Sequence, residues 1–188
     1  MSPAALQIGR RRSISLGIDA LLSVYEADLN DPLPFAPQSF DAAMSLDVVL
    51  HLRDRRAFFS AVARLLVPCG RILFTDAGVV TGPVSNEEVR ARSANGYTQF
   101  VPPGWNERLL ESAGFRLLKS EDRTDSVLTN ASGRLAALQA HRSELEAASS
   151  ALAVQGQVEY LDCVVELSRR RALSRVMYLA EVPGPQAV

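Results

Sequence analysis

Two histidines, two cysteines and a scatter of aspartates carry the chemistry open to this sequence. His51 stands between Asp47 and Asp54, so its imidazole is either a proton acceptor or substrate hydrogen-bonder, or a helix-start histidine paired with one of those acids. His141 falls in a polar helical run and is expected in solvent. Two histidines this far apart, with no acidic ligand pair beside them, do not make a metal site. Cys69 and Cys163 are too few for a disulfide framework and lack zinc spacing, and Cys163 sits in an apolar run with no base nearby, so it reads as an inert thiol. Asp28 ends a short apolar stretch: its ionised carboxylate, an acceptor only, either selects a ligand donor or begins the Asp31-Pro32 turn. Asp76, after another apolar run, borders a cavity or serves as a turn or N-cap acid.

These residues need a scaffold, and the chain alternates its segment types as a sheet covered by helices requires. Ser13 to Ile18 and Ser23 to Asp28 read as short strands, and Asp31-Pro32-Leu33-Pro34 forces an extended turn because each proline disfavours helix in its predecessor. Phe40 to Leu46 is a near-continuous apolar run, the pattern of a buried strand. Phe58, Phe59, Val62, Leu65 and Leu66 lie at helical spacing within Arg53 to Val67, Pro68-Cys69-Gly70 closes that helix, and Arg71 to Thr75 resumes a strand. A right-handed crossover makes the two strands parallel. Ligands in open α/β sheets sit beyond the carboxyl ends of the strands, which favours Leu46, Asp47, Val48 and His51 as a binding loop.

Further on, Ser85 reads as the N-cap of a helix reaching about Ser93, Gly104 to Ser112 as a second helix closed by Gly114, and Phe115 to Ser120 as a strand. Ala131 to Leu152 reads as one long helix, with Leu135, Leu138, Leu145 and Leu152 on an inward stripe; Val158 to Arg171 follows as another helix, then Leu173 to Val182 as a final strand. The tail after Pro183-Gly184-Pro185 is expected to be flexible, as is the stretch 1–12.

The 188 residues make one domain's worth of chain. The balance of 20 basic against 21 acidic residues gives a net charge of −1 and no general field for nucleic acid or an anionic membrane. All the basic residues but Lys119 are arginine. No uncharged run approaches the ~20 residues of a membrane helix, and the apolar stretch after Arg10-Arg11-Arg12 is interrupted by Asp19, unlike an export signal. A reducing cytoplasm is the expected compartment.

The run Ala27-Asp28-Leu29-Asn30-Asp31-Pro32-Leu33-Pro34-Phe35, then Ser39-Phe40-Asp41-Ala42-Ala43, Leu46-Asp47-Val48-Val49-Leu50-His51-Leu52, and Arg64 through Asp76 together resemble class I S-adenosylmethionine-dependent methyltransferases. Phe100-Val101-Pro102, Glu111 to Phe115, Glu121 to Thr124 and Leu173-Ser174-Arg175 are similar to the branch that methylates small molecules such as glycine derivatives. The likeness covers roughly residues 13 to 182. It implies an α/β, Rossmann-like sheet, mostly parallel with an antiparallel last strand and incomplete at its N-terminal side.

It also implies S-adenosylmethionine as cofactor and a small-molecule methyl acceptor as partner. By the same resemblance Asp28 accepts from the adenine amino group, Leu29 offers backbone N–H and apolar contact to that ring, and Asp19 takes the ribose hydroxyls. Only nine positions separate Asp19 from Asp28, where the family inserts a helix. Leu46 and Asp47 fall where the family holds the methionine end, with His51 as the candidate for a catalytic group. Tyr97, Phe100 and Trp105 fall in the cover over the acceptor, where aromatic faces can enclose a cationic amine or simply fill a core.

The family's glycine-rich cofactor loop is not found: after Gly9 come Arg10, Arg11 and Arg12, whose side chains obstruct a close backbone approach. Two function classes therefore stand. One is a methyltransferase acting on a small molecule, impaired by the missing loop or active through a rearranged one. The other is a catalytically silent domain that pairs with a partner or with itself as a homo-oligomer through uncovered sheet edges.

Overall fold

The sequence from Phe40 to Glu181 builds an open mixed sheet flanked by helices, here in a computed structural model that describes residues 3–94 and 96–185. The chain divides at Phe35 into two compact units. In the first, helix α1 (Pro3–Ser15) is followed by a short 3-10 turn at Asp19–Leu21 and then by irregular backbone.

Two expectations fail in this unit. Ser13 to Ile18 is not a strand: good helix formers at Ala4 to Gln7 and Arg10 to Arg12 carry the helix past Gly9 and through Ser15, the hydroxyls of Ser13 and Ser15 donate to the carbonyls of Arg10 and Arg12, and Gly17 stops it at φ 67°. Ser23 to Asp28 is not a sheet strand either: no described segment forms a ladder with it, and the Asp28 carbonyl instead accepts from Asp31 N–H at 3.1 Å in the turn that follows. Tyr25 packs edge-on against Phe35, with ring centroids 5.1 Å apart.

The second unit carries the sheet, in the order β1-β2-β4-β3. Strand β1 (Phe40–Leu46) pairs in parallel with β2 (Leu66–Val80), in register from Ala42 with Arg71 to Leu46 with Thr75, across helix α2 (Arg55–Leu65). Asp54 caps α2 by accepting the Ala57 N–H, and Phe58, Phe59, Val62 and Leu65 face the core at the expected spacing. Strand β3 (Arg116–Asp122) and the last strand β4 (Leu173–Glu181) run antiparallel, as do β4 and β2, so three strands point one way and the last opposes them. That is the expected sheet. Phe59, Phe74 and Tyr178 stack through its centre, Phe74 lying 4.9 Å from Phe59 and 4.8 Å from Tyr178.

Helix α3 (Asn86–Arg92) opens with a full capping box between Ser85 and Glu88, and α4 (Trp105–Ser112) ends at Gly114, whose φ of 88° closes the helix. The long helix expected over Ala131 to Leu152 is instead three pieces: α5 (Thr124–Ala140), α6 (Arg142–Ala148) and α7 (Ala151–Arg169). Ser150 starts α7 by capping Ala153 N–H, which ends the preceding run. Leu135 and Leu138 pack against Ala131, Leu161, Val164 and Val165, but Leu145 and Leu152 are exposed, at 40% and 84%, so the inward stripe stops at the break. No helix among the described residues is long and apolar enough to cross a membrane.

Candidate active site

At the carboxyl end of β1 the chain must turn sharply, and it does so at Asp47, whose φ is 52°. Aspartate is among the few residues that tolerate this left-handed conformation. The turn is held from β2 and β4. Asp47 N–H donates to Thr75 Oγ1 at 2.9 Å, Thr75 Oγ1 donates to Asp47 Oδ1 at 2.8 Å, and Arg175 forks onto the carboxylate through Nε to Oδ1 at 3.0 Å and Nη2 to Oδ2 at 2.8 Å. Leu46 stands beside it with its side chain 51% exposed.

A 3-10 turn (Val49–His51) then buries Val49 and Leu50 and leaves His51 at the surface. His51 pairs with neither neighbouring acid: its Nδ1 lies 2.8 Å from the carbonyl oxygen of Tyr97. A carbonyl can only accept, so Nδ1 carries a proton and Nε2 is the nitrogen left to meet a ligand.

Behind this turn lies a buried polar cluster. Asp76, fully buried at the end of the β1-paired part of β2, accepts Arg55 Nη1 at 2.5 Å and Asn106 Nδ2 at 2.8 Å on one oxygen, and Gly78 N–H at 2.8 Å on the other. Arg55 also donates to Asn106 Oδ1 at 2.9 Å and to the carbonyl of Gln99 at 2.6 Å. Glycine is needed at 78 for close approach, since a Cβ there would lie 3.1 Å from both Asp76 Oδ1 and the Gln99 carbonyl. Burial pushes the Tyr178 hydroxyl far above the ordinary tyrosine range, although a hydrogen bond with Asn106 works the other way.

A second cavity of about 10 Å³ adjoins the Asp47 cluster and is lined by Arg92, Ser168, Ser174 and Arg175, among others. Arg92 is 8% exposed, donates to Tyr160 Oη at 2.7 Å and lies over its ring; among the described residues it has no carboxylate partner. Of the cover aromatics, Trp105 stacks under Arg108, Tyr97 is exposed, and Phe100 packs beside the Leu167, Ala172 and Leu173 cluster. Cys163 donates to the Glu88 carbonyl, and burial, then Glu88, pushes its thiol pKa up.

The remaining expected ligands lie in the first unit. Asp19 is exposed in the 3-10 turn, Asp28 is exposed with Oδ1 accepting from both the backbone N–H and the side chain of Asn30, and Leu29 is half-buried.

Residues 1–74 match the methyltransferase domain family. A phosphoethanolamine N-methyltransferase of Triticum aestivum is 30% identical over 130 residues, 69% of this chain and 24% of the relative, and a glycine/sarcosine/dimethylglycine N-methyltransferase of Actinopolyspora halophila is 26% identical over 145 residues, 77% of this chain and 26% of the relative. A protein of Galdieria sulphuraria assigned as a sarcosine dimethylglycine methyltransferase superposes over 98% of this chain and 67% of its own, at TM-score 0.86 and 20% identity. The first 74 residues thus resemble the methyltransferase domain family, and the described chain carries the fold of solved methyltransferases. The chain spans about a fifth to a quarter of the length of the phosphoethanolamine N-methyltransferases it matches. A Haemonchus contortus phosphoethanolamine N-methyltransferase, solved with phosphomonomethylethanolamine and S-adenosylhomocysteine, shares the fold at TM-score 0.70 and 23% identity over 80% of this chain and 35% of its own.

In this chain the sequence pointed to Asp47, His51 and Asp76 but not to their partners. Thr75 and Arg175 enter the resemblance only as parts of its segments, and nothing in the local pattern sets Arg55 or Asn106 apart within their helices. Arg92 carried one usable signal: it follows Arg90 on a short helix that has room for few inward side chains.

Proposed function

We propose that this chain is part of an S-adenosylmethionine-dependent methyltransferase whose acceptor is a small molecule bearing a carboxylate or phosphate. The observation that carries the reading is the Asp47, Thr75 and Arg175 cluster beside an imidazole with one free nitrogen, at the carboxyl ends of two parallel strands, where α/β folds bind ligands. On the sheet unit, Leu46 and the partly exposed Asp47 would take the cofactor's amino-acid end, and by the family resemblance Asp28 and Leu29 would take its adenine and Asp19 its ribose hydroxyls. The bound cofactor supplies an electrophilic methyl group.

The chain's own residues do the rest. They hold the acceptor in line and close, which is most of what such a displacement needs. His51 Nε2 accepts a proton from the acceptor as the new bond forms. Arg92 supports an anionic acceptor, since a guanidinium buried to this degree without a counter-ion gains from one. The relatives are named for phosphoethanolamine and for glycine derivatives, which are of this class. The pocket beside Arg92 admits one oxygen-sized group as it stands, so the anion presents a single oxygen there.

A second reading, a silent domain that self-associates, is favoured by one observation: the stretch carrying Asp28 forms no sheet strand. Thermal unfolding with S-adenosylhomocysteine separates the two. At 100 times its dissociation constant a ligand adds about 2.7 kcal/mol, or a rise of about 5–10 °C. No rise at millimolar ligand, with a concentration-dependent oligomer on sizing, replaces the enzyme with the silent domain.

A further inference from the structure

The segment Tyr97 to Val101 has no helix or strand of its own, yet it is tied down at every second residue. Tyr97 accepts from His51, Gln99 N–H donates to the Leu50 carbonyl at 2.7 Å, the Gln99 carbonyl accepts from Arg55, and Val101 exchanges bonds with Gly78 and Val80. Arg55 joins this segment to α2, to β2 through Asp76 and to α4 through Asn106. Arg55 and Asp76 have side-chain exposures of 1% and 0%.

A fully buried ion pair is a poor source of stability, because desolvating both charges offsets most of their attraction. Here the pairing is not even complete: Arg55 Nε and the Gln99 side-chain oxygen are buried without hydrogen-bond partners among the described residues. An apolar cluster would hold α2 against β2 as well. It would not hold a backbone carbonyl, and that is what the guanidinium adds.

We infer that Arg55, set by Asp76 and Asn106, is a positioning residue that holds the Tyr97 to Val101 segment so that the Tyr97 carbonyl fixes the tautomer of His51, leaving Nε2 as the proton-accepting nitrogen. The inference builds on the proposed role of His51, but the geometry it asserts can be read without any turnover. Neutral imidazole in water favours the proton on Nε2; the Tyr97 carbonyl reverses the preference by accepting from Nδ1. Without the latch, the segment keeps the Gln99 N–H bond to Leu50 and the two Val101 bonds but loses the guanidinium that fixes the Gln99 carbonyl, so the Tyr97 carbonyl is held less closely and the ring is free to take either form.

The test is nitrogen-15 NMR of the imidazoles at pH 8.5, where an ordinary histidine is neutral. Only His51 and His141 are present, and His141, exposed beside Glu144, is the internal reference. In the native protein His51 is expected as the Nδ1–H tautomer; dominance of the Nε2–H form overturns the inference at once. Arg55→Lys keeps the charge beside Asp76 but cannot fork to both Asp76 and the Gln99 carbonyl. In that variant the Nδ1–H signal of His51 is expected to be lost while His141 is unchanged, and retention of the native tautomer in a folded Arg55→Lys protein overturns the inference. Should Arg55→Lys fail to fold, Asn106→Ala, which removes one anchor of the same guanidinium, is read by the same criterion. If the ring behaves as expected but no methyl transfer is found, the proposed function fails and the latch stands; if the tautomer is insensitive, the latch fails whatever the activity.

Discussion

Replacing Asp47 by asparagine removes one charge from the turn that shapes the candidate site and leaves its size and backbone tolerance nearly intact, since asparagine also accepts a φ of 52°. The native carboxylate takes the Thr75 hydroxyl and both arms of the Arg175 fork. The amide keeps one acceptor oxygen, but its NH2 then faces the Arg175 donors. Hydrogen bonds to charged groups contribute about 1.5–3 kcal/mol when buried. The side chains of Asp47 and Arg175 are 39% and 24% exposed, so water screens the pair and about 0.5–1 kcal/mol per arm is appropriate. Asp47→Asn should therefore lower the unfolding free energy by about 1–2 kcal/mol, a fall of about 2–8 °C in Tm.

Asp47→Val adds a separate cost, because a β-branched residue in the left-handed region loses about another 1–2 kcal/mol. Urea unfolding of both variants, with Arg175→Met completing a double-mutant cycle against Asp47→Asn, separates charge from backbone. The reasoning is refuted if Asp47→Asn changes stability by less than about 0.5 kcal/mol, the range of an ordinary surface substitution, or if valine is no worse than asparagine.

Two further outcomes are expected. Phe74→Ala, which removes the middle ring of the Phe59, Phe74 and Tyr178 stack, should cost about 3–5 kcal/mol in denaturant unfolding, and a loss under 1 kcal/mol would mean the centre of the sheet repacks freely. The Glu181 carboxylate is held below the usual glutamate range, first by its hydrogen bond from Arg116 and then by that from Arg71. A folded-state value below the unfolded one gives stability that is complete above the unfolded pKa and is lost as pH falls through the folded one. Glu181→Gln should thus leave a flatter stability profile below about pH 4.5 than the native protein; parallel acid profiles would remove Glu181 from the account.

Much of this architecture was legible in one dimension wherever a periodic pattern had a partner close in sequence. Phe40 to Leu46 came out as a strand with the predicted bounds, because a helix and a second apolar run follow it at once, but it is a largely exposed edge strand and not the buried one its apolar run suggested, since among the described residues only β2 pairs with it. Ser85 and Gly114 marked helix ends correctly, since capping depends on residues within one turn. The same logic misled at Ser13 to Ile18 and Ser23 to Asp28. Their alternation is genuine, but a strand exists only through a neighbour, and the pattern carries no record of whether one is available.

For the site, residue type and the rule about strand ends were enough to bring forward Leu46, Asp47, His51 and Asp76. Which atoms those residues meet was decided by tertiary structure alone. Arg175 reaches Asp47 from 128 positions away, and Arg55 reaches Asn106 and the Gln99 carbonyl across 51 and 44. Periodicity reports where a side chain faces over a few turns of chain. Pairings between distant segments depend on how the sheet orders its strands, and there the direction of a guanidinium, the tautomer of an imidazole and the burial of Arg92 are settled.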